Sequence, residues 1–154
     1  MRVTILNGNP QAGNEVFESY LGEFAEKLES SGHNVKRLDL RDLKIGYCVG
    51  CFGCWLENPG ECLIADDGRE VCRAAIQSDL LITASPISMG FISSLLKRSL
   101  DRMIPLVLPH LEVDHDEIHH RKRYTKYPLV GLLMAKDADR SEEHTSELQS
   151  RQVI

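Results

Sequence analysis

Apolar positions along this chain switch between two periods. "RVTILNG", Arg2 to Gly8, is a short apolar run closing on Asn-Gly and reads as a strand. From Glu15 to Ser31, the residues Val16, Phe17, Tyr20, Leu21, Phe24, Ala25 and Leu28 recur at helical spacing, and Gly32 stands where the helix ends. "NVKRLDL" alternates like an edge strand, and a cysteine-bearing loop follows it. "DDGREVCRAAIQ" reads as a second helix, with Asp67 and Glu70 at the spacing of a capping box. "DLLITA" is continuously apolar, as expected of a parallel strand buried on both faces. A third helix is predicted from about Gly90 to Ile104, with Ile92, Leu95, Leu96 and Met103 inward. A long polar loop follows, and "YPLVGLLMA" reads as a fourth buried strand.

The order β-α-β-α-β-α-β predicts an open, doubly wound α/β sheet with right-handed crossovers. In such sheets ligands bind beyond the carboxyl ends of the strands. Three loops leave those ends and are expected to converge: "NGNPQAGNE", the cysteine loop and "SPISMG". The 154 residues fit one domain, and 42% hydrophobic with 27% charged residues is ordinary for a globular chain. A formal charge of −5 argues against general nucleic-acid affinity. No apolar run reaches the length of a membrane helix, and "MRVTIL" lacks the build of a signal peptide. A cytoplasmic location is therefore expected, where thiols stay reduced and clustered cysteines read first as metal-binding or redox-active.

The last residues change the boundaries. "RSEEHTSELQS", Arg140 to Ser150, has neither periodicity and resembles the in-frame translation of a common sequencing-library adapter. Residues 140–154 are set aside as a non-native tail. Residues 1–139 are taken as one domain, expected to stop after its fourth strand.

"GNPQAGNE" leads a strand into a helix N-terminus, where free N–H groups and the helix dipole favour phosphate. Gly8 and Gly13 have Walker A spacing, but Asn14 and Glu15 stand where Lys and Ser/Thr are needed, so triphosphate chemistry is not supported. A neutral loop suits a monophosphate; a plain strand–helix turn capped by Asn is the alternative. Cys48, Cys51 and Cys54 have the close spacing of cubane iron–sulfur loops, Cys62 follows after seven residues, and Pro59-Gly60 supplies a turn between. No second knuckle or His pair favours structural zinc. Packing thiols around Trp55 and a labile redox dithiol stay open beside the cluster. Cys72 reads as a small buried hydrophobe. His110, Asp114, His115, His119 and His120 show no ligand pattern, so a solvated loop is expected there. The run Arg121-Lys122-Arg123 could meet nucleotide phosphates, with a charged surface as the default.

"NGNPQAGN" and "SPISMGFISSLLKRSLDR" resemble the two flavin loops of the flavodoxin-like NAD(P)H-dependent FMN reductases. "CVGCFGCWLENPGECLIADD" resembles their cysteine-bearing, iron–sulfur flavoprotein branch. The resemblance implies a flavodoxin-like fold, with Asn9, Gln11, Gly13 and Asn14 meeting the FMN phosphate. It places Pro86, Ile87, Ser88, Met89 and Gly90 along the flavin ring, and Cys48, Cys51, Cys54 and Cys62 on a 4Fe–4S cluster. It also implies NAD(P)H as donor, a quinone, flavin or other small-molecule electron acceptor, and a homo-oligomer. The chain departs from the family pattern at Gln11 (usually Arg), Glu15 (usually Ser/Thr) and Ser88 (often an aromatic). With these changes and four strands, weak flavin binding and an exposed apolar sheet edge are expected. The alternatives are an electron carrier that does not itself oxidise NAD(P)H, and a non-redox metal-binding or interaction domain that has lost FMN.

Overall fold

A computed structural model of the chain describes residues 1–136; the tail set aside above lies outside the described residues. The elements are β1 (Arg2–Asn7), α1 (Glu15–Ser30), β2 (Asn34–Asp39), α2 (Gly53–Leu56), α3 (Gly68–Gln77), β3 (Leu80–Ser88) and β4 (Phe91–Ile92). They continue with α4 (Ser94–Asp101), β5 (Val107–Asp114), β6 (Glu117–Lys122) and β7 (Leu129–Lys136). The main sheet runs β2-β1-β3-β7, all parallel, with β4 folded back antiparallel on the end of β3. This is a flavodoxin-like, doubly wound α/β sheet.

The two central strands are the most apolar, and they bury side chains on both faces. Val3, Ile5, Ile82 and Ala84 pack with Phe17 and Leu21 of α1. Leu6 and Leu81 point to the other face and pack with Val71 and Ala75 of α3 and Leu96 of α4. The helices start where short polar residues compete for their free N–H groups. Asn14 accepts from the Phe17 amide to open α1, and Ser93 accepts from the Leu96 amide to open α4.

Four expectations need correction. Asp67 precedes α3 but makes no side-chain cap; it accepts from the Lys44 amide, while Glu70 pairs with Lys36 and Arg73. The helix expected from Gly90 begins only at Ser94, because Met89 and Gly90 form the turn of a β3–β4 hairpin. The segment after α4 is no loop. It is a β5–β6 hairpin whose two turn residues, His115 and Asp116, both have positive φ, as a twisted two-residue hairpin requires. Polar composition hid the alternation of Leu111, Val113 and Ile118, which line one side of that ribbon. Finally, β7 is buried on one face only. Leu133 and Ala135 pack against the α1 side, whereas Val130, Leu132 and Met134 alternate with them and are exposed.

Candidate functional site

Two of the three loops expected to converge are tied together at the carboxyl edge. The Gly8 amide donates to the Ala84 carbonyl (2.7 Å), and the Gly8 carbonyl accepts from the Ser93 hydroxyl (2.5 Å). Ser93 in turn donates its amide to Ser85 Oγ (2.8 Å). A Cβ at Gly8 would lie 2.6 Å from Leu96 Cβ, so the close approach of loop to helix depends on glycine.

Within the first loop the amides divide by role. Asn9 is buried and spends its side chain internally: Nδ2 donates to the Gln11 carbonyl (2.7 Å) and to Glu18 (2.6 Å), and Oδ1 accepts from the Gln11 amide (3.1 Å). Asn14 is likewise engaged as the α1 cap. Gln11 and Gly13 are exposed, and so is Glu15. Among the described residues, the backbone N–H groups of Ala12, Gly13, Glu15 and Val16 have no acceptor. The loop therefore offers main-chain donors at a helix N-terminus, shaped by Asn9 and Asn14 from behind, and these fit a phosphate group.

Beneath the loop lies a charged network that sequence reasoning missed. Glu18 accepts from Asn7 (3.1 Å), Asn9, Arg41 (2.7 Å) and Arg37, and Asp39 accepts from Asn7 (2.6 Å) and Arg37 (2.9 Å). Burial pushes the Glu18 carboxyl upward, but the hydrogen bonds from Asn7, Asn9, Arg41 and Arg37 outweigh it and hold the pKa below the usual carboxylate value. The one sequence signal was Glu18 itself, a carboxylate beside Phe17 at the edge of an apolar stripe.

On the second loop, Pro86 and Ile87 are half-buried and Ser88, Met89 and Gly90 are exposed. Met89 and Gly90 turn with φ of 52° and 83°. Ile87 pairs with Ile92, and Ser88 with Phe91. Cross-strand partners share a face, so the exposed ring of Phe91 stands beside Ser88, the position where an aromatic was missing.

The third loop packs elsewhere. Its ends are pinned by Arg102, 2% exposed, which donates to the Gly46 carbonyl (2.8 Å) and makes two bonds to Asp66 (2.8 Å each); Asp66 also accepts from the Gly46 amide. Burial raises the Asp66 pKa, yet the Arg102 guanidinium and the Gly46 amide lower it by more. Trp55 donates to the Ile104 and Val107 carbonyls and lies between Phe52 and His120. The segment is thus built onto the end of α4 and the base of the β5–β6 hairpin. Among the described residues, no hydrogen bond joins it to the other two loops.

Its thiols are not gathered into one set. Cys48 and Cys51 are exposed, Cys54 is buried on α2 and Cys62 is half-buried. The expected turn is present: Gly60, with φ of 97°, donates to the Cys54 carbonyl. Burial, and then the neighbouring Cys62, push the Cys54 thiol up. Among the described residues, no three His, Cys, Asp or Glu side chains are arranged to hold a metal ion. The four thiols match a cluster in kind and count, but this arrangement does not present them as a ligand set. Cys72 is buried as expected; its thiol donates to the Arg102 carbonyl (3.2 Å) and burial pushes it up to about 11. His115 pairs with Asp114, His119 with Glu117, and Arg123 donates to the Pro105 and Val107 carbonyls, so this stretch is used structurally.

Strand order and connections together define a flavodoxin-like α/β protein. The chain belongs to the NADPH-dependent FMN reductase family, whose model matches residues 1–147. An iron–sulfur flavoprotein of Archaeoglobus fulgidus is 38% identical over 80 residues, covering 52% of this chain and 36% of the relative. Another from that organism is 30% identical over 135 residues, covering 88% of this chain and 61% of the relative. The matched stretch thus spans less than two thirds of the length of both relatives. Among solved structures, an azoreductase from Bacillus anthracis superposes with a TM-score of 0.65 at 15% identity, covering 93% of this chain and 72% of its own. RosB superposes at 0.60 and 18% identity, covering 90% and 53%. At these identities the structural matches speak for the fold. No helix of the described residues is long and apolar enough to cross a membrane.

Proposed function

We propose that the chain is the flavin-binding part of an NAD(P)H-dependent FMN oxidoreductase that passes electrons to a quinone, flavin or other small-molecule acceptor. The observation that carries this is the Ser93–Gly8 bond, which brings a phosphate-ready loop and an apolar hairpin to one sheet edge. The backbone N–H groups of Ala12, Gly13, Glu15 and Val16, with Gln11, would hold the FMN phosphate. Glu15 is exposed and can turn to solvent, away from a dianion. Pro86, Ile87, Ser88, Met89 and Gly90 would lie along the ring, with Phe91 supplying the aromatic surface that Ser88 lacks. FMN, when bound, accepts a hydride equivalent from the nicotinamide and delivers its electrons onward; the protein's share is binding and orientation. A homo-oligomer, working in the cytoplasm, is part of this proposal.

The names of the curated relatives favour a second reading, an iron–sulfur flavoprotein carrier in which Cys48, Cys51, Cys54 and Cys62 hold a 4Fe–4S cluster. Stopped-flow mixing of the FMN-loaded protein with NADH and with NADPH separates the two. Rapid flavin bleaching supports the reductase; retained FMN without bleaching supports the carrier. Failure to retain FMN at all would sink both.

A further inference from the structure

Cys62 lines an open cavity and neighbours a buried donor that has no partner among the described residues. Every nitrogen of the Arg102 guanidinium except Nε is hydrogen-bonded, and Nε is buried without a partner among the described residues. The Cys62 side chain is a neighbour of that guanidinium. The cavity has a volume of about 470 Å³ and is lined among others by Cys62, Cys72, Ile76, Pro105, Leu106 and Tyr124. Its lining also carries Arg69, Arg73 and Lys126 against one carboxylate, Glu61. Arg69 is engaged with Glu61 and the Cys62 carbonyl, whereas Arg73 and Lys126 are 57% and 69% exposed and, among the described residues, pair only with Glu70 and Asp79. The wall is cationic in a chain of net charge −5, a setting that draws anions locally.

We infer that this cavity is a modification site, in which Cys62 of the cluster-free protein forms a mixed disulfide with an anionic low-molecular-weight disulfide. The Cys62 thiolate attacks one sulfur of the reagent, the reagent S–S bond breaks, and the second half departs as a thiolate. The protein thiol is oxidised and the reagent disulfide is the oxidant it consumes. Arg102 does not line the cavity, and its guanidinium, with the orphan Nε–H, neighbours Cys62 and would hold the attacking sulfur. Cys72 has no such role: it is buried, its proton is committed to the Arg102 carbonyl, and its raised pKa keeps it a thiol. Cys48 and Cys51 are more exposed than Cys62 but do not line the cavity, so exposure and cavity chemistry predict opposite orders of reaction.

The test uses the full chain, reduced and freed of iron, treated with anionic dithiobis(nitrobenzoate) or neutral dithiodipyridine, each site being followed by peptide mass spectrometry. The expected result is that Cys62 has a higher anionic-to-neutral rate ratio than Cys48 or Cys51. The charge reversals Arg73→Glu and Lys126→Glu, both on exposed side chains, should lower that ratio at Cys62 about tenfold. They should leave its rate with the neutral reagent unchanged, which shows that the fold and the access are intact. A ratio at Cys62 no greater than at Cys48 and Cys51, or one indifferent to the reversals, would overturn the inference.

Discussion

Glu18 decides more than its position in the sequence announces. It is the carboxylate on which Asn7, Asn9, Arg37 and Arg41 meet, so it shapes the loop from below. Glu18→Gln leaves two half-buried guanidiniums short of an acceptor and should cost about 1–3 kcal/mol in urea unfolding at neutral pH. Its pKa is depressed in the folded protein, so its contribution is complete above the unfolded value near 4.5 and is lost as pH falls through the lower folded value. The stability gap between the native protein and Glu18→Gln should therefore be constant at neutral pH and close in acid. A gap that widens on acidification would refute this. Gly8 tests the same loop by size: in Gly8→Ala the new methyl meets Leu96 at 2.6 Å and the Ala84 carbonyl at 3.1 Å. Overpacking of this kind costs about 1–3 kcal/mol, and FMN affinity measured by fluorescence quenching should fall at least about tenfold, the equivalent of roughly 1.4 kcal/mol.

At the scale of the element, the β3–β4 hairpin carries a conflict between stability and binding. Met89 sits at φ of 52°, a conformation that costs a non-glycine residue about 1–2 kcal/mol. Asn-Gly is the favoured pair for such a turn, so Met89→Asn should raise unfolding free energy by about 0.5–1 kcal/mol. If the Met89 side chain lies on the flavin ring, the same variant binds FMN more weakly; a stabilised variant with unchanged affinity removes Met89 from the site. Phe91→Ala makes the complementary case. Its ring is 75% exposed and paired with Ser88, so its loss should leave stability nearly unchanged while weakening FMN binding by about 0.5–1.5 kcal/mol.

For the whole molecule, the distribution of apolar surface is the feature with consequences. Val130, Leu132 and Met134 are 69%, 56% and 50% exposed on one side of β7, and among the described residues β7 pairs with β3 alone. A contiguous apolar face beside an unpaired strand edge favours association. Sedimentation velocity should show concentration-dependent self-association of the 154-residue chain, reduced by Leu132→Lys at little cost in unfolding free energy. A monomer at all concentrations would count against that view of the surface.

The sequence by itself determined the alternation of the four parallel strands with α1, α3 and α4, and the two loops at the carboxyl edge of that sheet. Continuous apolar runs such as "LLITA" and helical stripes such as that of α1 report local burial, and local burial is what a one-dimensional pattern records. Gly8 and the Asn14 cap were legible for the same reason, since turns and caps act over a few residues. The tertiary structure alone decided which partner each polar side chain found. Asn9, expected on a phosphate, turns inward to Glu18; Asp67 serves Lys44 in place of the α3 cap; the polar stretch after α4 pairs into a hairpin around its own turn. It also decided that Arg102, 36 residues from Asp66 and 56 from Gly46, closes the cysteine segment onto α4 instead of onto the two loops joined by Gly8 and Ser93. Cysteine spacing fixes how near the thiols can come along the chain. How near they do come depends on long-range ion pairs, because a buried guanidinium holds whatever segment satisfies it.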